Sequence, residues 1–96
     1  MKLKLKRFQN VFDALESDPA VAENLKIRAQ LMNALTQYIN KKKLTQSAAA
    51  ELFDVTQPRI SDLVRGKIER FTIDILVNML ARSGKHLNVK VSNKAA

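Results

Sequence analysis

The sequence predicts an all-α fold, and three observations lead to this prediction. Apolar residues recur at helical spacing along most of the 96-residue chain. Only two glycines and two prolines interrupt it. An apolar fraction of 46% is enough for one small core, so a single folded domain is expected. The expected architecture is a compact bundle of about five helices with one or two short terminal β-strands.

The first 16 residues are predicted to form an N-terminal arm. Residues 2–8 alternate leucine with lysine, which is a strand pattern or that of a flexible basic arm. Val11, Phe12 and Leu15 then follow at helical spacing, so residues 10–16 are predicted to form a short helical turn.

The domain proper is expected to cover residues 17–84 and to begin with a long helix. Asp18 is suited to cap that helix and Pro19 to occupy its first position, and the helical pattern continues to about Lys41. Near the other end, Thr72 can cap a last helix over residues 73–82, which Gly84 would end. The residues predicted to be buried are Leu25, Met32, Leu35 and Ile39 in the first of these helices and Ile73, Leu76, Val77 and Leu80 in the last.

Residues 45–67 contain two short helix signals separated by a three-residue break. Thr45 can cap a helix over residues 46–53, and Thr56 can cap a second over 57–65 that Gly66 would end. Ile60, Leu63 and Val64 share one face of the second helix, so that face is expected to dock on the protein. Polar side chains occupy the opposite face. This construction is that of a helix-turn-helix, whose second helix reads the major groove of DNA.

Two glutamines at helix starts are the first candidate contacts. Gln46 would donate its amide and its backbone N–H to a phosphate. Gln57 begins the second helix, where side chains first meet base edges, and glutamine can bond bidentately to adenine. Pro58 offers apolar contact to a thymine methyl or serves only as a rigid helix start. Thr56 and Ser61 complete the neutral candidates.

The charged candidates each have alternative roles. Arg59 could bind guanine or a phosphate. Asp62 could accept from cytosine, or could hold Arg59 or Arg65 in position along the same helix. The basic residues expected to contact the DNA backbone are Arg65 and Lys67 at the helix end, with Lys43 and Arg70 as further phosphate contacts.

This stretch resembles the helix-turn-helix of the XRE family, which includes phage Cro and repressor proteins. The resemblance implies a lambda-repressor-like fold. In the family the turn usually contains glycine, where this chain has Asp54. The matching residues are Leu44-Thr45-Gln46, Ala50, Val55-Thr56-Gln57, Ile60-Ser61, Leu63 and Gly66-Lys67.

Most of the chain also resembles the HigA-like antitoxins of type II toxin–antitoxin pairs. This resemblance implies repression of the chain's own operon and neutralisation of a RelE/HigB-like toxin, with residues 1–16 as the expected toxin-binding surface. Two alternatives stay open: a stand-alone XRE transcriptional regulator without a toxin, and a protein-interaction module only. The resemblance rests on residues 10–15, 24–32, 56–67 and 71–80 and on the closing strand.

The closing strand is predicted from Leu87, Val89 and Val91, which alternate with polar residues inside a C-terminal segment, 85–96. A lone strand needs a partner. The candidates are residues 2–8, the same segment of a second subunit, or a bound protein; a frayed tail is the alternative. One module of this size binds too little DNA to be specific alone, so a homodimer on a palindromic operator is expected.

Composition excludes several other classes. Seventeen lysines and arginines against nine acids give a formal charge of +8, which suits a polyanionic partner. There is no cysteine, no long apolar run and no signal-peptide pattern, so a cytoplasmic protein is expected that neither spans nor binds a membrane. His86 is the only histidine, and no catalytic or metal-binding motif is present. The chain is therefore predicted to be neither an enzyme nor a cofactor-binding protein.

Overall fold

The computed structural model describes residues 18–93, and all the regular secondary structure in this part of the chain is helical. Within this range four α-helices follow one another: α1 Pro19–Lys41, α2 Gln46–Phe53, α3 Gln57–Val64 and α4 Ile73–Arg82. A single 3-10 turn, Ile68–Arg70, lies between α3 and α4. None of these helices is long and apolar enough to cross a membrane.

Each helix begins directly after the residue whose side chain was predicted to cap it. An oxygen of the capping side chain accepts a hydrogen bond from a backbone N–H of the first turn, which would otherwise have no partner within the helix. The prediction of all four helix starts is therefore confirmed. The pairs are Asp18 with Ala20 at 3.0 Å, Thr45 with Ala48 at 3.0 Å, Thr56 with Arg59 at 3.3 Å and Thr72 with Ile75 at 3.2 Å.

All four helices end in the same way. In each, a residue with positive φ follows the helix, its N–H bonds three residues back, and the next N–H bonds five residues back. This is the Schellman motif. Glycine fills the positive-φ position after α3 and α4, as predicted, whereas lysine and aspartate fill it after α1 and α2. The residues and their φ values are Lys43 (54°), Asp54 (58°), Gly66 (72°) and Gly84 (85°).

The core lies where α1 packs against α4 and against the pair formed by α2 and α3. The predicted stripe of α1 is buried throughout. In α4 the pattern shifts by part of a turn: Met79 is buried at 1% exposure, whereas Ile73 and Val77 are only half-buried. The buried residues are Leu25, Met32, Leu35, Ile39, Ala49, Ala50, Phe53, Ile60, Leu63, Phe71, Leu76, Met79 and Leu80.

The predicted closing strand is not formed within the described chain. Residues 85–93 have no regular secondary structure, and no backbone hydrogen bond joins residues 86–93 to another described residue. A strand needs a neighbour to accept its ladder, and the described part supplies none. The predicted strand at 2–8 and the predicted fifth helical segment at 10–16 lie outside the described residues.

Candidate nucleic-acid interface

The helices α2 and α3 pack against each other and form the predicted helix-turn-helix. Ala49 and Ala50 are buried in α2, and their small side chains let the neighbouring helices approach. Asp54, at the turn position where the XRE family usually has glycine, adopts the left-handed conformation with φ 58° and ψ 49°. Its carboxylate lies 3.7 Å from the Arg82 guanidinium. The turn geometry is therefore kept without a glycine.

The two faces of α3 differ as the sequence predicted. Ile60 and Leu63 are 0% and 1% exposed, so they fix the helix to the core. Gln57 and Pro58, in its first turn, are exposed. Val64, which was predicted to dock, is instead 38% exposed, because it lies at the last turn beside an open groove. The first turn of α3 therefore exposes Gln57 to solvent.

The two motif helices have similar starts. Gln46 and Gln57 each follow a capping threonine and occupy the first position of an eight-residue helix, and both are exposed. Backbone N–H groups and the positive end of the helix dipole lie at such a start and favour an anionic ligand. Arg65, Lys43 and Arg70 are also exposed, whereas Ser61 and Lys67 are half-buried.

Arg59 does not extend from α3 as a free contact. Its Nη1 donates to the backbone carbonyl of Arg70 at 2.6 Å, and its guanidinium carbon lies 5.2 Å from the centre of the Phe71 ring. Asp62 pairs with the Arg70 guanidinium at 3.3 Å, not with Arg59 or Arg65 as its orienting role predicted. Both side chains therefore reach toward the 3-10 turn, which begins at Ile68, shortly after α3 ends at Val64.

One arginine near the interface was not predicted at all. Arg28 of α1 donates from Nη1 to the carbonyls of Ile68 and Phe71 at 3.1 and 3.2 Å. Its Nε donates to the Asn24 side chain at 2.6 Å. The sequence does contain a signal, since residue 28 occupies a position of the apolar stripe between Leu25 and Met32. A charged residue at such a position usually has a specific polar partner.

The described residues contain no group of three or more histidine, cysteine, aspartate or glutamate side chains that could hold a metal ion. The surface instead combines amides, guanidiniums and helix starts. Such groups bind phosphates and base edges by hydrogen bonding and charge.

Comparison with known proteins agrees with this geometry. Residues 12–92 match the sequence profile of a family described as "Helix-turn-helix domain". The chain is also similar to a solved structure named "Putative XRE Family Transcriptional Regulator", with 29% identity and a TM-score of 0.70 over 76% of this chain and 82% of that one. No protein of curated function shows significant similarity. Because the profile spans most of its length, the chain belongs to this family of helix-turn-helix domains.

Proposed function

We propose that the chain is an XRE-type transcriptional regulator that binds operator DNA through α3. The observation that carries the proposal is the first turn of α3, where Gln57 and Pro58 are exposed, Pro58 on the side away from Ile60 and Leu63, which are almost fully buried. A helix fixed by one face and exposed by the other is what insertion into a major groove requires. The match to helix-turn-helix domains supports the same proposal.

The predicted contacts carry over into this proposal. Gln57 reads a base edge, with Thr56, Pro58 and Ser61 beside it, and Gln46 binds a phosphate at the start of α2. The positive charges that bind the DNA backbone are Lys43, Arg65, Lys67 and Arg70.

We further propose that the regulator is the antitoxin of a type II pair, as its resemblance to HigA-like proteins implies. It would then repress its own operon and neutralise a RelE/HigB-like toxin. The segment expected to bind the toxin, residues 1–16, lies outside the described residues. A stand-alone regulator is equally compatible with the helix-turn-helix, so the partner must be tested directly.

Salt dependence of DNA binding tests the regulator proposal. A duplex selected by the protein from a random library is titrated by fluorescence anisotropy at several KCl concentrations. Each lysine or arginine that neutralises a phosphate should contribute about −0.9 to the slope of log affinity against log salt. No selected duplex, or a slope near zero, would contradict DNA binding and favour a protein-interaction module.

The antitoxin proposal is tested by co-expression with the product of the adjoining gene. Co-purification of a small basic protein whose ribonuclease activity the chain suppresses is the expected result. If no toxin-like gene adjoins this one, or its product does not bind, the stand-alone regulator is the correct description.

The proposed homodimer needs a contact between subunits, and the C-terminal tail provides a candidate. The tail is attached to the domain as far as Leu87, which packs on the core, and the Lys85 ammonium lies 5.3 Å from the Tyr38 ring centre. Beyond this point Val89 and Val91 are 86% and 92% exposed. We propose that this tail pairs antiparallel with the same tail of a second copy.

A register centred on Val89 suits such a pair. It places Leu87 against Val91 of the other copy, and Asn88 against Lys90, so that no lysine faces a lysine. The apolar side chains then share one face of the two-stranded ribbon. A two-fold axis through this pair gives the symmetry that a palindromic operator requires.

Adding a charge to the tail tests this contact. Val89→Lys should convert the dimer to a monomer in sedimentation analysis, because it places two lysines together at the centre of the pair. Ser92→Lys adds the same charge next to the apolar segment and should leave the dimer intact. A dimer that persists in Val89→Lys would place the interface elsewhere.

A further inference from the structure

Arginines from two different helices hold the 3-10 turn that follows α3. Arg28 of α1 donates to the carbonyls of Ile68 and Phe71, and Arg59 of α3 donates to the carbonyl of Arg70. Three of the four carbonyls from residue 68 to residue 71 therefore accept from a guanidinium. Hydrogen bonds with a charged donor are stronger than those between neutral groups.

Each guanidinium is itself held in place. Asn24 lies one turn before Arg28 and accepts from its Nε at 2.6 Å, which orients the fork toward the turn. The Arg59 guanidinium lies over the ring of Phe71, which is buried at 1% exposure. Both arginines thus join the turn to rigid parts of the fold, one from each side.

The turn carries one of the predicted phosphate contacts. The Arg70 side chain is 52% exposed and pairs with Asp62 of α3 at 3.3 Å. A three-residue 3-10 turn has few hydrogen bonds of its own, so its position depends on the groups that bind its carbonyls. The placement of Arg70 relative to α3 therefore depends on the two arginines.

We propose that Arg28 and Arg59 are positioning residues for DNA binding, which fix the turn and do not contact DNA themselves. The proposal rests on the proposed function and replaces the role that the sequence predicted for Arg59, which was to bind guanine or a phosphate. To reach a base, Arg59 would have to give up a 2.6 Å hydrogen bond and its contact with Phe71.

Arginine is needed at position 28 because of its shape. The planar guanidinium donates at once to Asn24 and to two backbone carbonyls. Lysine has the same charge but only one nitrogen, and it cannot reproduce this fork. The variant Arg28→Lys therefore separates the positioning role from a role of charge alone.

The first measurement needs no DNA. Trypsin can cut after Arg70 only if the turn opens, because Phe71 is buried. Arg28→Lys and Arg28→Gln should both increase the rate of cleavage after Arg70 by about tenfold. Loss of a hydrogen bond with a charged donor should make opening of the turn more frequent by about this factor. The control is Lys26→Gln, which changes an exposed residue on the same helix; trypsin should cleave it after Arg70 at the parent rate.

The second measurement compares affinity for the selected duplex and for a scrambled duplex at several salt concentrations. Arg28→Lys should weaken binding to both by about tenfold, with the salt slope of the parent protein. The double variant Arg28→Lys/Arg59→Lys should lose less affinity than the product of the two single fold-losses, since both substitutions free the same turn. Circular dichroism checks that each variant is folded.

The two measurements can fail separately. If the parent protein binds no DNA, the proposed function fails, but cleavage after Arg70 still tests the role of Arg28. Parent-like cleavage in Arg28→Lys would overturn the positioning role. The positioning role would also be overturned if Arg28→Gln lost DNA affinity and Arg28→Lys did not, with a salt slope in Arg28→Gln smaller by about 0.9. That pattern is expected of a direct phosphate contact. If Arg59→Lys affects only the selected duplex, Arg59 reads a base.

Discussion

Replacing Ile60 by alanine should lower the free energy of unfolding by about 2–5 kcal/mol. The Ile60 side chain is fully buried and fixes α3 to the core at the level of Gln57 and Pro58. Its truncation removes apolar contacts and leaves a cavity that the surrounding helices fill only in part. Since small domains have a total stability of about 5–15 kcal/mol, this is a large fraction of it. Urea denaturation followed by circular dichroism measures the change.

Val64→Ala is the matched control, because Val64 lies one turn later on the same helix and is 38% exposed. Val64→Ala should lower the free energy of unfolding by less than about 1 kcal/mol, as is usual for exposed positions. An equal loss in the two variants would mean that α3 is not held to the core mainly through Ile60.

Replacing Gln57 by alanine should relax the sequence preference of the regulator at one base pair. A side chain bonded bidentately to a base edge contributes about 1–3 kcal/mol of discrimination against the wrong base. Gln57 is exposed in the first turn of α3, where such contacts are expected. The measurement is the affinity for the selected duplex and for each of its single-base-pair variants.

Gln46→Ala provides the comparison. Gln46 has the same side chain at the same position of α2, also after a capping threonine. Because Gln46 is a predicted phosphate contact, Gln46→Ala should weaken binding to every duplex to a similar extent, by about 0.5–1.5 kcal/mol of binding free energy. If Gln57→Ala behaves in the same uniform way, Gln57 contacts the backbone and the base reader must be sought among its neighbours.

The helices could be predicted from the sequence because their signals are local. Each start depends on one side chain and an N–H two or three residues away, and the apolar stripe of α1 repeats within a single helix. The faces of α3 followed from the spacing of Ile60 and Leu63. These features need no knowledge of how the helices pack together.

The surroundings of Arg59 could not be predicted in this way. Arg28 and the carbonyls it binds are separated by 40 and 43 residues, so their contact exists only after α1 has packed beside the turn. The pair of Asp62 and Arg70 depends on the path of the chain after Gly66, which local spacing does not define. The sequence thus indicated that Arg59 and Asp62 belong to the site, but not which groups they contact.

The tail illustrates a different limit. Alternation of Leu87, Val89 and Val91 is typical of a strand, but alternation does not identify a partner. Among the described residues the segment has none, so the pattern indicates how the tail could bind but not to which of the three candidate partners; residues 2–8, the candidate in the same subunit, lie outside the described residues.

The left-handed residues Lys43 and Asp54 stand just before and just after α2, a helix of eight residues. A residue other than glycine in that conformation costs about 1–2 kcal/mol, somewhat less for aspartate. Melting of α2 releases the cost at Asp54, whereas Lys43 is held by the hydrogen bonds that end α1. A ligand that binds the first turn of α2 therefore also stabilises the strained turn at Asp54, and its affinity is lowered by the cost of holding that turn in place.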